Sequence, residues 1–164
     1  FLLGGHQENG RRAGTENVPY IVGLGKAAEL AKIDLGSDEI ERIARLRDKL
    51  QEELLKLPDA RLNGSLTKRL PNTLNISFEF IEGEALLYHL SDAGICASSG
   101  SACSSGSLEP SHVIRAMGVP FTAVHGSLRF SLSRYNTEED IKQVIEVMPG
   151  IVDKLRKISP FVNT

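Results

Sequence analysis

The sequence has little cysteine and no long apolar run, and each scarcity excludes a class of protein. Its 164 residues contain two cysteines, too few for a disulfide framework and in a spacing that matches no common zinc site, so we expect no metal. The apolar runs are far shorter than the roughly 20 residues that cross a bilayer. A net charge of −2 argues against nucleic acid or an anionic membrane as the main partner. The expected compartment is a reducing cytoplasm.

The first residues, FLLGG, have neither an initiator methionine nor the basic region and long apolar stretch of a signal peptide. We therefore expect the chain to be part of a longer protein, with a processed N terminus as the alternative. The composition, 41% hydrophobic and 24% charged, is typical of a globular domain with a hydrophobic core.

Apolar periodicity predicts helices alternating with short strands, which indicates a single α/β or α+β unit with helices packed on a short sheet. A glycine-rich loop over 4–17 precedes a first helix, for which Asn17 is the expected N-cap. The predicted helices span 18–35, 37–57, 84–93, 110–117 and 137–157. The predicted strands span 61–63, 73–80, 94–97 and 127–131.

Cys103 lies in the middle of the segment 98–107, in which six of the ten residues are serine and two are glycine. A segment without bulky side chains buries little, so its composition predicts an accessible thiol, and a thiolate is the nucleophilic form of cysteine. A surface loop with an incidental thiol is the alternative. Cys96 follows apolar neighbours, and we predict that it is a small hydrophobic residue of the core.

Thr15 belongs to a second candidate segment, GRRAGTEN at 10–17, directly before the first helix. Glycines allow the backbone to approach a ligand closely, and a helix start and a hydroxyl group both offer donors to a phosphate. The segment has no Walker lysine and is not a GxGxxG fingerprint. A capped turn without a ligand is therefore the alternative.

Arg129 is the third candidate, in the predicted strand 127–131. Leu128 and Phe130 alternate with it, so the arginine should lie on the face of the sheet opposite these apolar side chains. An arginine there can hold a carboxylate through two hydrogen bonds. A solvated or salt-bridged arginine is the alternative.

Taken together, these segments resemble the C-terminal part of the NifS-like cysteine desulfurases. The strings that carry the resemblance are GGHQENGRRAGTENVPYIVGLGKA at 4–27, PNTLNISFEFIEGEALL at 71–87, SSGSACSSGSLEPSHVIRAMG at 98–118 and HGSLRFSLSRY at 125–135. They occur in the order and spacing of the family, and the cysteine-containing string is the most specific of them.

The resemblance implies a homodimeric, pyridoxal phosphate-dependent enzyme of the aspartate-aminotransferase-like fold (fold type I). Such enzymes convert L-cysteine to L-alanine, hold the sulfur as a persulfide on a cysteine and pass it to an iron–sulfur scaffold protein. Cys103 matches that cysteine, Arg129 the arginine that binds the substrate carboxylate, and Thr15 the threonine that reaches the cofactor phosphate of the partner subunit.

Two departures from the family pattern limit what the resemblance implies. Asn9 stands where close relatives usually have arginine. None of the eight lysines lies in the motif that carries the cofactor lysine, which the family has upstream in its large domain. We therefore expect residues 1–17 to be a phosphate-loop segment of the large domain and 18–164 to be the small C-terminal domain. A fragment of this kind should not turn over by itself.

Two other functions remain open from the sequence. The chain could be a non-catalytic persulfide carrier or docking module that accepts sulfur and delivers it to a scaffold. It could also belong to a related selenocysteine lyase or desulfinase. The strings SRY at 133–135 and GGHQ at 4–7 are closer to the nitrogen-fixation type of desulfurase than to the general type.

Overall fold

A computed structural model describes residues 2–99 and 110–160. These residues form two compact units divided between Glu39 and Ile40. The sequence predicts a different boundary, between residues 17 and 18, which would separate two domains of a longer protein. That boundary remains a prediction.

The first unit consists of the glycine-rich loop and one helix, α1. The loop contains a single turn of 3-10 helix at Gln7–Gly10, and α1 spans Val18–Leu35. The Asn17 side chain accepts a hydrogen bond from the Tyr20 N–H, which confirms the predicted N-cap. α1 has no buried residue, so the apolar face that its sequence predicts is exposed within the part of the chain that the structure describes.

The second unit holds a four-stranded antiparallel sheet in the order β1-β2-β4-β3. In chain order, its elements are α2 (Glu39–Leu54, whose first residue falls in the first unit), β1 (Ala60–Leu62), β2 (Thr73–Phe78), α3 (Gly83–Asp92), β3 (Ser98–Ser99), α4 (His112–Ala116), α5 (Phe121–Val124), β4 (Ser127–Ser131) and α6 (Glu138–Ile158). The predicted α/β fold, with helices packed on a short sheet, is confirmed. α5 is an element that the sequence did not predict.

One face of the sheet and three helices form the hydrophobic core. Alternate residues of β2 and β4 supply Ile76, Phe78 and Leu128, which are fully buried. Helices α2, α3 and α6 cover them with apolar side chains at three- and four-residue spacing, among them Leu50 and Leu86. The period of two in the strands therefore separates an apolar face from a polar one, as the sequence predicts.

The predicted strand at 94–97 is wrong. The chain leaves α3 through a turn, in which the Ile95 N–H bonds back to the Leu90 carbonyl, and the strand β3 follows at Ser98–Ser99. Ile95 is half-buried and Cys96 is exposed, so the prediction that Cys96 is a core residue is also wrong. An irregular segment after a helix follows the path set by the helix end, and here that path turns the thiol outward.

Candidate active site

The polar face of the sheet carries the candidate site of the second unit, and Arg129 lies at its centre. In β4, Arg129 is directly opposite Asn75 of β2 on one side and Ser98 of β3 on the other. Directly opposite residues of antiparallel strands share a face, with Cβ atoms about 4.5–5.5 Å apart. Arg129 therefore has polar neighbours on both flanking strands.

The guanidinium group of Arg129 is available to a ligand. The side chain is exposed, and within residues 2–99 and 110–160 it has neither a hydrogen bond nor an ion pair. Most other arginines of this unit are engaged; Arg47 and Arg69, for example, both bind the Asp48 carboxylate. An arginine fork without a protein partner can bind a carboxylate through two parallel hydrogen bonds. The structure thus places Arg129 on the polar face of the sheet, as strand alternation predicts, and its binding role remains a prediction.

A buried amide network lies on the same polar face, one strand away from Arg129. Asn63 Nδ2 donates to Asn75 Oδ1 at 2.7 Å and to Ser77 Oγ at 2.7 Å. Asn63 is 8% exposed and Ser77 is fully buried. Because Asn63 and Asn75 are 12 residues apart in the chain and meet only through strand pairing, nothing in the local sequence pattern predicts the network.

Thr15 lies in the first unit, close to the start of α1. Its side chain is exposed, and its hydroxyl makes no hydrogen bond to any residue in the described ranges. The surrounding loop is closed by Arg12 Nη1, which donates to the carbonyls of Gly14 and Thr15 at 3.2 and 3.3 Å, and by the Gly14 N–H, which donates to Gln7 Oε1 at 3.1 Å. The loop therefore holds its own shape and leaves the Thr15 hydroxyl free to donate.

The structure gives Asn9 a backbone role in this loop. Asn9 has a φ of 56°, in the left-handed region, where asparagine is enriched relative to most other residues. Glycine at position 10, with a φ of 80°, continues the turn without steric cost. The departure from the family pattern at position 9 thus occurs where the backbone conformation suits asparagine.

The third predicted residue, Cys103, lies outside the described residues, as does the predicted loop 98–107 apart from Ser98 and Ser99. Thr15 and Arg129 belong to different units. Among the residues that the structure describes, no group of three or more histidine, cysteine or acidic side chains is arranged to hold a metal ion. None of the described helices combines the length and apolar character needed to span a membrane.

Comparisons with known proteins show the family to which the chain belongs. Residues 5–144 match the sequence profile of the class-V aminotransferases. A cysteine desulfurase from Nostoc sp. is 66% identical over 99% of this chain and 41% of its own length. The cysteine desulfurase NifS from Azotobacter vinelandii is 58% identical over 98% of this chain and 40% of its own length.

Solved structures agree with the sequence comparison. A NifS-like protein from Rickettsia africae has a TM-score of 0.80 and 36% identity, over 93% of this chain and 39% of that protein. Another NifS-like protein has a TM-score of 0.81 and 38% identity, over 94% and 39%. The chain spans about two fifths of the length of these relatives. The chain therefore belongs to the class-V aminotransferase family, as a partial region similar to the NifS-like cysteine desulfurases.

Proposed function

We propose that this chain is the cysteine-bearing part of a cysteine desulfurase, which converts L-cysteine to L-alanine and holds the sulfur as a persulfide on Cys103. In the complete homodimeric enzyme, Arg129 binds the substrate carboxylate and an iron–sulfur scaffold protein accepts the sulfur. The similarity to relatives named cysteine desulfurase supports the reaction. The unpaired Arg129 beside the strand that leads to Cys103 supports the residue roles.

The pairing of Ser98 with Arg129 is the observation that carries the proposal. Ser98 lies directly opposite Arg129 across the β3–β4 pair, and Cys103 follows Ser98 by five residues. Five peptide units span at most about 18 Å, so the chain after Ser98 is long enough for the Cys103 thiol to meet a substrate bound at Arg129. A nucleophile tethered next to a carboxylate site gains the advantage of proximity.

The residues present fit one part of a pyridoxal phosphate site. The free, exposed hydroxyl of Thr15, in a loop that holds its own shape, can donate to a phosphate oxygen. We assign it to the cofactor phosphate of the partner subunit. The cofactor supplies an electron sink to the reaction. Lys26, Lys49 and Lys56 pair with carboxylates on exposed surfaces, so none of these three is a free amine for the cofactor.

The contribution of this chain to the chemistry is orientation followed by capture of sulfur. Arg129 fixes the carboxylate and so directs the Cβ–S bond of the substrate toward Cys103. The Cys103 thiolate attacks the substrate sulfur, an S–S bond forms, and the Cβ–S bond breaks. The electron pair of the broken bond remains with the organic product, which takes up one proton in place of the one that the Cys103 thiol gave up and leaves as alanine. Cysteine and one thiol thus become alanine and one persulfide, with no external oxidant.

Replacing Cys103 in the full-length enzyme tests this proposal. Cys103→Ala should lower alanine formation from L-cysteine by on the order of 100-fold or more, because the nucleophile is lost. Cys96→Ala is the matched control, since it removes an exposed thiol seven residues away and should leave the rate unchanged. Equal rates for Cys103→Ala and the wild type would refute the proposal.

A further inference from the structure

We infer that Asn75 is a second binding residue for the substrate carboxylate, and that Asn63 holds its amide in the orientation that binding requires. The inference rests on the proposed function of Arg129 and extends it to the neighbouring strand. The face of the sheet then offers a carboxylate three donors, two from the arginine fork and one from the Asn75 amide.

Strand order determines the direction of the Asn75 amide. β2 lies between β1 and β4, Asn63 directly follows β1, and Arg129 is in β4 opposite Asn75. Asn75 Oδ1 accepts the 2.7 Å hydrogen bond from Asn63 Nδ2, so the oxygen of the amide is turned toward the β1 side. The amide nitrogen is therefore left to donate to a ligand on the rest of the polar face, which includes the space beside Arg129.

The side-chain nitrogen Nδ2 of Asn75 has no partner among the residues that the structure describes. Asn75 is only half-buried, so a ligand can approach this donor. A half-buried amide whose oxygen is fixed and whose NH2 group is free is suited to an anion, because both of its protons remain to be donated. The guanidinium next to it supplies the positive charge that attracts a carboxylate.

Asn63 is suited to a positioning role because it is nearly buried and donates twice. Its second bond, to the fully buried Ser77 Oγ at 2.7 Å, holds its own amide in place. A donor fixed in this way determines which end of the Asn75 amide faces Arg129. Without Asn63, the Asn75 side chain could rotate and turn its amide oxygen toward the carboxylate. The two oxygen-bearing groups would then repel each other.

Two probes separate carboxylate binding from a structural role of the asparagines. 3-Mercaptopropionate retains the thiol and carboxylate of cysteine and has no amino group. Cysteamine retains the thiol and the amine and has no carboxylate. Calorimetric titration of the full-length enzyme with each probe measures binding without turnover. A loss of folding would lower the affinity for both probes together.

Asn75→Ala should raise the Kd for 3-mercaptopropionate about 10-fold or more, because a hydrogen bond to a charged group is lost, and should leave the Kd for cysteamine unchanged. Asn75→Asp, which keeps the acceptor for Asn63 and adds a negative charge, should raise the first Kd at least as much. Ser131→Ala is the matched control, since Ser131 is an exposed residue on the same face, and it should change neither value.

Asn63→Ala should raise the Kd for 3-mercaptopropionate by less than Asn75→Ala does, and the double variant should resemble Asn75→Ala alone, since the two residues act through one donor. Arg129→Ala separates this inference from the function on which it rests. If Arg129→Ala raises the Kd for 3-mercaptopropionate and Asn75→Ala does not, the role of Asn75 is refuted and that of Arg129 stands. If neither variant changes the Kd, both roles are refuted.

Discussion

Gly126 gives the sharpest structural prediction, because it lies where two backbone segments approach too closely for any side chain. A Cβ atom added there would lie 2.0 Å from the Phe78 carbonyl oxygen and 2.8 Å from that of Ile81. The Gly126 carbonyl also accepts a 3.0 Å hydrogen bond from the Phe78 N–H. Gly126 therefore joins the end of β2 to the start of β4, the strand that carries Arg129.

Gly126→Ala should destabilise the chain strongly. To bring the methyl group from 2.0 Å to a tolerable distance of about 3 Å, the two segments must separate by about 1 Å, which also weakens the buried hydrogen bond of Phe78. Overpacking costs about 1–3 kcal/mol, and a lost buried hydrogen bond costs a further 1–3 kcal/mol or so. The expected fall in the free energy of unfolding is thus about 2–6 kcal/mol, a large part of the stability of an ordinary domain.

Urea denaturation followed by far-UV circular dichroism measures this change. Gly150→Ala is the matched control, because Gly150 lies inside α6 and an added Cβ would meet no atom within 4 Å in the described structure. Alanine there should stabilise the helix by up to about 1 kcal/mol. Should Gly126→Ala unfold at the same urea concentration as Gly150→Ala, the close packing of β2 against β4 would be wrong.

Three further outcomes are expected. Leu86→Ala, at a fully buried position, should lower the free energy of unfolding by about 2–5 kcal/mol, whereas Leu35→Ala, at a position 73% exposed, should change it by less than about 0.5 kcal/mol; urea denaturation measures both. Arg129→Lys in the full-length enzyme should raise the KM for L-cysteine about 10-fold, because lysine cannot form the two-bond fork; an unchanged KM in steady-state assays would contradict that role. The backbone N–H of Thr137 holds the pKa of Asp140 below its ordinary value, so this stabilisation is present above the ordinary pKa and is lost as the pH falls through the lowered one. Asp140→Asn should therefore lessen the fall in Tm below about pH 4, and an identical pH profile of Tm would refute this.

Local periodicity predicts the elements whose burial follows from their own pattern. β4 has the predicted bounds, with Arg129 on the face opposite Leu128, because alternation alone decides which face of a strand is buried. α6 begins after Thr137, whose hydroxyl accepts from the Asp140 N–H, because an N-cap depends only on residues within one turn.

Features that depend on distant residues were not predictable in this way. β3 forms at Ser98–Ser99 because the β4 backbone lies beside it, and serine has no strong preference for strands. The contact between Asn63 and Asn75 likewise depends on the β1–β2 register. The apolar pattern of α1 is typical of a buried face, yet its residues are exposed, because burial depends on what surrounds a helix as well as on its sequence.

The most direct test of the proposed function is the location of the sulfur after a single turnover. The full-length enzyme is treated with L-cysteine, and its peptides are then analysed by mass spectrometry for an adduct of about 32 Da, the mass of one sulfur atom. The proposal predicts this adduct on the peptide containing Cys103 and its absence from Cys96, although the Cys96 thiol is exposed. An adduct on Cys96 alone, or alanine formation with no adduct on either cysteine, would contradict it.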